Sequence, residues 1–470
     1  MDTRVLIAGA GPTGLTLACD LARRGVDHLV VDRDPGTFPG SRAKGLQPRT
    51  LEVFADLGVL DRVLDHSGPY PPVRAYRGRE VVWERSMHEV APPQPGVPHP
   101  TPVMLPQWRT CLILRERLAE LGGRVETGVE LTGFEQDGFG VTAHLGDRRV
   151  RADHLVGADG GRSAVRRGLG VGFAGETDED HRQLIADVRI SGLDRDHWHF
   201  WTDDDGVRPV LAACPMAGTD TFQLTTTRLE HASVEDLQAL LTEVSGRDDL
   251  VVGDLTWSSS WRPNVRMVDR YRVGRVFLAG DAAHVHTPAG GQGLNTGVQD
   301  AYNLGWKLAL GGEELLDSYE DERLPVAAHV LGLSTALFGR ATAGGRDAVD
   351  RSDPALRQLG VHYRDSALSV ELRAEPRSVR AGDRAPDGWC GDRRVHEVLA
   401  GPGFTVLAFG GARHDGAHVV TDAPAFDVRG DALAVVRPDG HVGLFADTAD
   451  EVDAYLERWS RARLPVTGSR

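Results

Sequence analysis

A glycine-rich turn near the start of the chain joins an apolar run to a helix, and this order restricts the fold more than any other feature of the sequence. Residues 4–8 (RVLIA) are apolar, residues 13–24 have a helical pattern, and residues 28–32 (HLVVD) form a second apolar run. Together they predict a β-strand, an α-helix and a second β-strand, which is the unit of a parallel α/β sheet.

The turn has the GxGxxG spacing, with Gly9, Gly11 and Gly14 between strand and helix. The first glycine permits the tight turn, the second lets the backbone approach a pyrophosphate, and the third lets helix and strand pack closely. Asp32 ends the second strand, where its carboxylate can accept hydrogen bonds from ribose hydroxyls. The pattern predicts a dinucleotide site. A structural turn or another nucleoside ligand would share it, and it does not separate NAD from FAD.

A second glycine-rich segment, residues 275–300 (RVFLAGDAAHVHTPAGGQGLNTGVQD), separates these cofactors. We predict a buried strand over residues 276–281 and a helix from about residue 297 to residue 310. Asp281, at the strand end, is well placed for the ribityl chain of a flavin. The glycines before the helix offer backbone N–H groups to an electron-rich ring edge, which favours FAD.

A third motif, in residues 155–166 (LVGADGGRSAVR), places Asp159 directly after an apolar strand. Ser163 and Arg166 follow in the next turns. The same residues also fit a helix cap followed by a helical arginine, so this motif indicates a cofactor site only in combination with the other two.

The rest of the chain predicts a second sheet and a separate tail. Strand-like runs within residues 184–228 indicate an antiparallel sheet inserted into the first domain. From residue 404 onward, two apolar strands, a turn and a helix at residues 449–461 indicate a small α/β unit. We therefore predict a first domain from residues 1–75, 103–180 and 265–375, a substrate domain from residues 76–102 and 181–264, and a tail domain from residues 376–470.

Composition limits the location and the partners. With 53 basic and 68 acidic residues, the net charge of −15 argues against nucleic acid or an anionic membrane as the main partner. No apolar run reaches the roughly 18 residues of a membrane span, and we expect no signal peptide because no basic stretch precedes the first apolar run. The four cysteines form no close pair, so we expect a cytoplasmic protein without disulfides or a bound metal.

In order and separation, the three motifs resemble those of the class A, single-component FAD-dependent aromatic hydroxylases. Residues 41–52 (SRAKGLQPRTLE) and 105–118 (LPQWRTCLILRERL) resemble the polyketide hydroxylase and rifampicin monooxygenase branch. The resemblance covers most of residues 1–330. It implies an α/β fold like that of p-hydroxybenzoate hydroxylase, with a Rossmann-type FAD-binding domain interleaved with an antiparallel-sheet substrate domain.

The resemblance extends to the tail, where residues 382–390 (GDRAPDGWC) match the usual entry to a thioredoxin-like α/β domain. Cys390 has no CxxC partner, so this domain is expected to be redox-inactive. By analogy with the same relatives, the tail suggests a homodimer.

The resemblance also implies how FAD is held. The glycine-rich turn would contact the pyrophosphate, Asp32 the adenosine ribose, Asp281 the ribityl or phosphate part, and the backbone amides of Leu294 and Asn295 the isoalloxazine. The implied cofactor-binding residues are Gly9, Gly11, Thr13, Gly14, Asp32, Arg33, Arg42, Gln107, Asp159, Asp281, Gly293, Leu294 and Asn295.

The implied activity is hydroxylation of an aromatic, polyketide-derived substrate with NADPH or NADH and O2, through a flavin C4a-hydroperoxide. A base near the substrate would help, because a phenolate is more reactive than a phenol. By position after the second motif, the candidate catalytic residues are Pro288, His284 and His286. The family often has two prolines before the glycines, where this chain has Thr287 and Pro288.

The substrate pocket is predicted from strand alternation. On a strand, His197, His199 and Trp201 share one face, which would form either a pocket wall for a planar ligand or a packed aromatic face. Met104 is a further candidate for the pocket border.

Four other functions would share part of this sequence pattern. A Baeyer–Villiger or epoxidising enzyme, and an enzyme that inactivates rifamycin- or tetracycline-type antibiotics, would use the same oxygenating chemistry. A flavin-dependent halogenase requires a catalytic lysine and a WxWxIP segment, and the chain has no such segment. A non-catalytic FAD-binding module would have no need of the intact second motif.

Overall fold

A computed structural model describes residues 2–178, 182–203, 208–343 and 349–460. The last ten residues of the predicted tail, 461–470, lie outside the described residues. In chain order the described helices are α1 (Pro12–Arg23), α2 (Pro48–Asp56), α3 (Leu60–His66), α4 (Gln107–Glu120), α5 (Ala164–Leu169), α6 (Val234–Ser245), α7 (Gly293–Leu310), α8 (Glu313–Ala343), α9 (Val395–Leu399) and α10 (Ala449–Trp459).

The first sheet contains the strands that the amino-terminal motif predicts. Across the sheet the strands are β18 (Arg272–Val273), β19 (Val276–Leu278), β10 (Arg148–Gly157), β1 (Thr3–Ala8), β2 (His28–Asp32) and β7 (Val125–Thr127), with β9 (Gly140–Leu145) beside β10 and β8 (Leu131–Asp137) beside β9. Strand β1 pairs in parallel with β2 and β10, and β10 pairs in parallel with β19. Helix α1 packs against α4 and α7. The predicted α/β unit is confirmed, with β1 almost entirely buried as in other parallel sheets.

The second sheet is the predicted insertion. Its strands, in order, are β16 (Val251–Trp261), β12 (Gln183–Ser191), β15 (Thr221–Thr226), β14 (Pro209–Pro215), β13 (Trp198–Thr202), β4 (Val73–Arg77) and β5 (Glu80–Arg85). Neighbours are antiparallel except for β13 and β4, which pair in parallel. One face packs with α6 in a hydrophobic core that includes Leu184, Leu211 and Leu224. Residues on the opposite face, among them Ile185 and Phe200, line a cavity.

The tail forms its own mixed sheet, in the order β21 (Val370–Glu371), β27 (Val442–Ala446), β26 (Ala432–Val436), β24 (Thr405–Phe409) and β25 (His418–Val419). Strands β26 and β27 form the hairpin that the Pro438-Asp439-Gly440 turn predicts. Strand β21 lies before residue 376 yet pairs with β27. Two residues are too few to show a period, which is why the sequence pattern does not reveal this strand and places it in the first domain, within residues 265–375. The exact domain boundaries stay a prediction.

Short strands form three further small sheets: β3 (Gly45–Leu46) with β6 (Val103–Met104), β11 (Ala174–Thr177) with β17 (Asn264–Met267) and β20 (His284–Val285), and, within the tail, β22 (Trp389–Cys390) with β23 (Arg393–Arg394). Helix α7 begins at Gly293, four residues before the predicted start, because a glycine-rich sequence has a loop-like composition even where it is helical. None of the described helices is both long and apolar enough to cross a membrane.

Candidate active site

Two of the three glycines in the turn allow close packing of the backbone, and the third faces open space. Gly9 has φ +106°, and a Cβ there would lie 2.3 Å from the carbonyl oxygen of Ala158. A Cβ on Gly14 would lie 2.0 Å from the carbonyl oxygen of Gly9. A Cβ on Gly11 would meet no atom within 4 Å. Gly9 and Gly14 therefore let β1, β10 and α1 approach, whereas Gly11 keeps the space before the α1 amino terminus free.

Asp32 supports this turn directly. Its Oδ2 accepts a hydrogen bond from the Ala10 amide at 2.6 Å, and its Oδ1 accepts one from the Asp34 amide at 2.9 Å. Because each carboxylate oxygen can accept more than one hydrogen bond, the predicted contact with a ribose remains open to Asp32.

A continuous cavity of about 1320 Å³ begins at the α1 amino terminus and extends to the second sheet. It brings together most of the predicted cofactor residues. Those that line it are Gly11, Thr13, Arg33, Arg42, Gln107, Asp159, Asp281, Gly293 and Leu294. Those that lie behind its wall are Gly9, Gly14, Asp32 and Asn295. Asn295 is fully buried, where its Oδ1 accepts from the Gln47 amide at 2.8 Å and its Nδ2 donates to the Gly45 carbonyl at 2.9 Å.

The second motif is held by a buried carboxylate. Gly280 has φ +59°, and its amide donates to Asp300 Oδ2 at 3.0 Å. Arg323 Nε donates to Asp300 Oδ1 at 2.7 Å. Burial alone would raise the pKa of Asp300, but Arg323 and His284 hold it at about 2. The ionised Asp300 fixes the turn that presents Asp281 to the cavity.

The third motif is partly a cap, as the alternative interpretation proposes. Asp159 Oδ2 accepts from the backbone amides of Ala164 and Val165, at 2.6 and 3.2 Å, and Ser163 caps α5. Asp159 Oδ1 is buried and has no hydrogen-bond partner among the described residues. A ligand in the cavity that Asp159 lines would find this oxygen free to accept a hydrogen bond.

The predicted catalytic histidines occupy different environments. His284 is fully buried, donates from Nε2 to Asp300 at 2.8 Å and is not among the residues that line the cavity, so its position does not support the predicted role as a catalytic base. His286 and Pro288 do line the cavity. His286 donates from Nδ1 to the Thr287 carbonyl at 3.0 Å, and burial lowers its pKa, which leaves Nε2 as an unpartnered acceptor.

The aromatic wall is built from the opposite face of β13 to the one predicted. His199 is fully buried between the Tyr76 hydroxyl and the Asp194 carbonyl, at 2.9 Å from each, and Trp201 belongs to the core under the sheet. Trp198 and Phe200 line the cavity instead. Alternation along the strand was predicted correctly, but it carries no information about which face meets a ligand.

Met104 also lies outside the cavity. It is 2 % exposed, and its sulfur lies 3.7 Å from Cys214 Sγ in the packing between β6 and β14. Sequence reasoning missed Lys44 and Gln223, which line the cavity beside Trp198. A signal for Lys44 existed, since it is one of two lysines among 53 basic residues.

Exchange of residues on the two faces of β13 should separate binding from stability. Phe200→Leu is expected to raise the KM for an aromatic substrate several-fold with little change in the unfolding midpoint, because the ring faces the cavity. Trp201→Phe should leave KM unchanged and destabilise the fold by about 1–2 kcal/mol, because it removes packed core atoms. Steady-state kinetics and thermal unfolding would measure both. A larger KM change for Trp201→Phe would contradict the assignment.

The cavity fits an FAD cofactor on the evidence of its own residues. Its α1 end offers backbone N–H groups and the positive end of the helix dipole, with Arg33 and Arg42 nearby, and all of these favour a pyrophosphate. Gly11 keeps that space free of side-chain atoms. The unpartnered His286 Nε2 is a buried polar atom that a cofactor or substrate would satisfy.

Comparison with known proteins agrees with this geometry. The profile of the FAD binding domain family matches residues 2–334. The chain belongs to this family. A flavin-dependent monooxygenase of Mycobacteroides abscessus is 48 % identical over 475 residues, spanning 97 % of this chain and 99 % of the relative. Rifampicin monooxygenase of Streptomyces venezuelae is 32 % identical over 480 residues, spanning 97 % and 98 %.

A solved ternary complex of aklavinone-11 hydroxylase with FAD and aklavinone superposes with a TM-score of 0.79 at 28 % identity, covering 97 % of this chain and 98 % of the hydroxylase. The family, the full-length relatives and this structure together show an FAD-dependent monooxygenase of the aromatic hydroxylase type, with the fold of p-hydroxybenzoate hydroxylase.

Proposed function

We propose that this FAD-dependent monooxygenase hydroxylates a fused, polycyclic aromatic compound of polyketide type, with NADPH or NADH and O2 as co-substrates. The observation that carries the proposal is the cavity that joins the Gly11 turn and Asp281 to the aromatic wall of Trp198 and Phe200. Its volume of about 1320 Å³ exceeds the roughly 300–1000 Å³ of a pocket for one small ligand. The cavity has room for part of a flavin and a substrate of several rings.

In this enzyme the protein supplies placement, and the cofactor supplies the oxygen chemistry. Bound FAD would supply the redox chemistry by which ArH, O2, NAD(P)H and a proton give ArOH, water and NAD(P)+, with one oxygen atom inserted into a ring C–H bond. The α1 amino terminus and Arg42 would hold the cofactor phosphates, and Asp281 its ribityl chain. Trp198 and Phe200 orient the substrate ring and exclude water from the reacting face.

Relatives support the substrate class. Aklavinone-11 hydroxylase binds aklavinone in its solved complex, and the superposition covers 97 % of this chain. A second candidate, oxygenation of an antibiotic, is favoured by the rifampicin monooxygenase of Streptomyces venezuelae, which matches nearly full length. Both candidates share the site described above and differ only in substrate.

We infer a cytoplasmic location and a homodimeric assembly. The four cysteines, Cys19, Cys111, Cys214 and Cys390, are free and buried, which supports a reducing, cytoplasmic setting. The net charge of −15 continues to disfavour nucleic acid as a partner. The homodimer rests on the resemblance of the tail alone.

Stopped-flow reduction of the purified flavoprotein by NADPH and by NADH tests the function. Aklavinone, anhydrotetracycline, rifampicin and phenol serve as probe ligands. We expect at least one polycyclic ligand to accelerate flavin reduction about tenfold or more, and to gain one oxygen atom from ¹⁸O2, whereas phenol has little effect. NMR of the product separates ring hydroxylation from Baeyer–Villiger or epoxide products. Equal reduction rates with and without every polycyclic ligand would contradict the proposal.

A further inference from the structure

Lys44 occupies a fixed position at the sheet side of the cavity. Its carbonyl accepts a hydrogen bond from the Leu105 amide at 2.8 Å, and Gly45–Leu46 pairs with Val103–Met104 immediately afterwards. The side chain therefore extends toward the second sheet from a backbone that is held on both sides.

The partners of this ammonium group are neutral. Lys44 Nζ donates to Gln223 Oε1, and Gln223 Nε2 donates in turn to the Ser41 carbonyl, which keeps the amide oxygen directed at the lysine. The centre of a Trp198 ring lies 4.4 Å from Nζ. An ammonium carries three N–H donors, so the amide and the ring do not exhaust them.

Two ionisable groups influence Lys44, Asp187 on β12 and the Cys214 thiol on β14, and both pair in register with Gln223 on β15. Among the described residues, the hydrogen-bond partner of the Lys44 side chain is the neutral amide of Gln223. Burial raises the pKa of Asp187 to about 6, and burial lowers the pKa of Lys44. A cation in these surroundings is only partly compensated, so an anionic ligand that contacts it would be favoured.

We propose that Lys44 anchors the substrate by binding the phenolate or enolate oxygen of a planar, fused-ring compound that lies against Trp198 and Phe200. The inference rests on the proposed function and narrows it to substrates with an acidic ring hydroxyl. The oxyanion supplies the negative partner that Gln223 cannot supply, in a charge-assisted hydrogen bond. Its proton is released to solvent on binding. The bound phenolate is also the more electron-rich form of the ring, which suits oxygen transfer.

The test uses the FAD-loaded enzyme and a matched pair of probes, 2-hydroxyanthraquinone and 2-methoxyanthraquinone. They share a ring system and differ in one ionisable group. We expect the hydroxy probe to bind about tenfold or more tightly than the methoxy probe. Its ionisation, followed by the phenolate absorption band, should shift to lower pH by about one unit or more in the complex, which corresponds to the same factor.

Two variants separate an anchoring role from a structural one. Lys44→Met should bind both probes equally and remove the ionisation shift. Gln223→Glu keeps the lysine but gives it a carboxylate partner, so it should weaken the hydroxy probe selectively even if Lys44→Met folds poorly. Arg228→Met, which removes an exposed cation paired with Glu243 on the surface, is the control and should behave as wild type. FAD content is measured for every protein.

An unchanged ionisation shift in both Lys44→Met and Gln223→Glu would overturn the anchor, whether or not the enzyme turns over polycyclic substrates. Conversely, a shift that depends on Lys44 would support the anchor even if no polycyclic compound stimulates flavin reduction. Failure of the anchor and failure of the proposed function therefore give different results.

Discussion

Gly11→Asp is expected to give a folded protein that purifies without its yellow colour. Gly11 is the N-cap of α1, with φ −75° and ψ −177°, and its side of the turn faces open cavity. Aspartate is a preferred N-cap residue, so the unfolding free energy of the flavin-free protein should stay level or rise by a few tenths of a kcal/mol. The new carboxylate would repel the pyrophosphate at the same helix terminus, and we expect FAD affinity to fall at least ~100-fold. The ratio of flavin to protein absorbance, together with FAD titration, measures this loss.

Gly11→Asn is the matched control, because it has nearly the same shape and capping ability without the charge. It should retain much more FAD than Gly11→Asp. Thermal unfolding is compared on flavin-free samples, since bound FAD stabilises the wild type by mass action. Full FAD binding by Gly11→Asp would mean that the pyrophosphate does not lie at this turn. Gly14 offers no equivalent test, because any side chain there collides with the Gly9 carbonyl and disturbs the fold itself.

The sequence predicts the cofactor end of this cavity far better than the substrate end, for a physical reason. The contact of Gly14 with Gly9 and that of Asp32 with the Ala10 amide are made within one β-α-β unit, and their spacing is dictated by local geometry. The substrate end brings Lys44 and Gln223 together across 179 positions of sequence. The residue pattern within either segment gives no indication of that contact.

The error on β13 has a similar origin. Alternation correctly groups His199 with Trp201 and Trp198 with Phe200, but both faces of this strand are aromatic. Which face is buried is decided by α6, which packs beneath the sheet and encloses Trp201 in its core. The position of His284 was equally difficult to predict from the sequence. It is held by Asp300 on α7, which in turn pairs with Arg323 on α8, and no local pattern indicates that these residues meet.

The same helix, α8, also links the FAD-binding part to the tail through a buried carboxylate. Glu322 accepts hydrogen bonds from Lys307 Nζ at 2.7 Å and from both terminal nitrogens of Arg437, at 2.7 and 2.8 Å. Asn303 and Ser366 donate to it as well, at 2.7 and 2.6 Å. Lys307, Glu322 and Arg437 are all fully buried, so the two cations depend on nearby carboxylates for compensation. This cluster joins the tail sheet to α7 and α8.

Glu322→Gln is accordingly expected to destabilise the protein by about 3–5 kcal/mol, because it leaves buried cations under-compensated. Glu314→Gln is the control on the same helix. Glu314 pairs with Arg458 of α10 at 2.5 Å, but both side chains are about half exposed, so its loss should cost no more than about 1 kcal/mol. Urea or thermal unfolding at neutral pH measures both variants. Equal losses for the two would show that the buried cluster contributes no more than a surface pair.

The pH dependence gives the same cluster a second, independent signature. Burial alone would raise the pKa of Glu322, but Arg437 and Lys307 hold it at about 2, below its ordinary value of 4.5. A depressed carboxyl pKa contributes stability that is fully present above pH 4.5 and is lost as the pH falls toward 2. The difference in unfolding free energy between wild type and Glu322→Gln should therefore shrink by up to roughly 3 kcal/mol across that interval. For Glu314→Gln the difference should stay nearly constant. If both differences are flat from pH 5 to pH 2, Glu322 does not carry its charge in the folded protein.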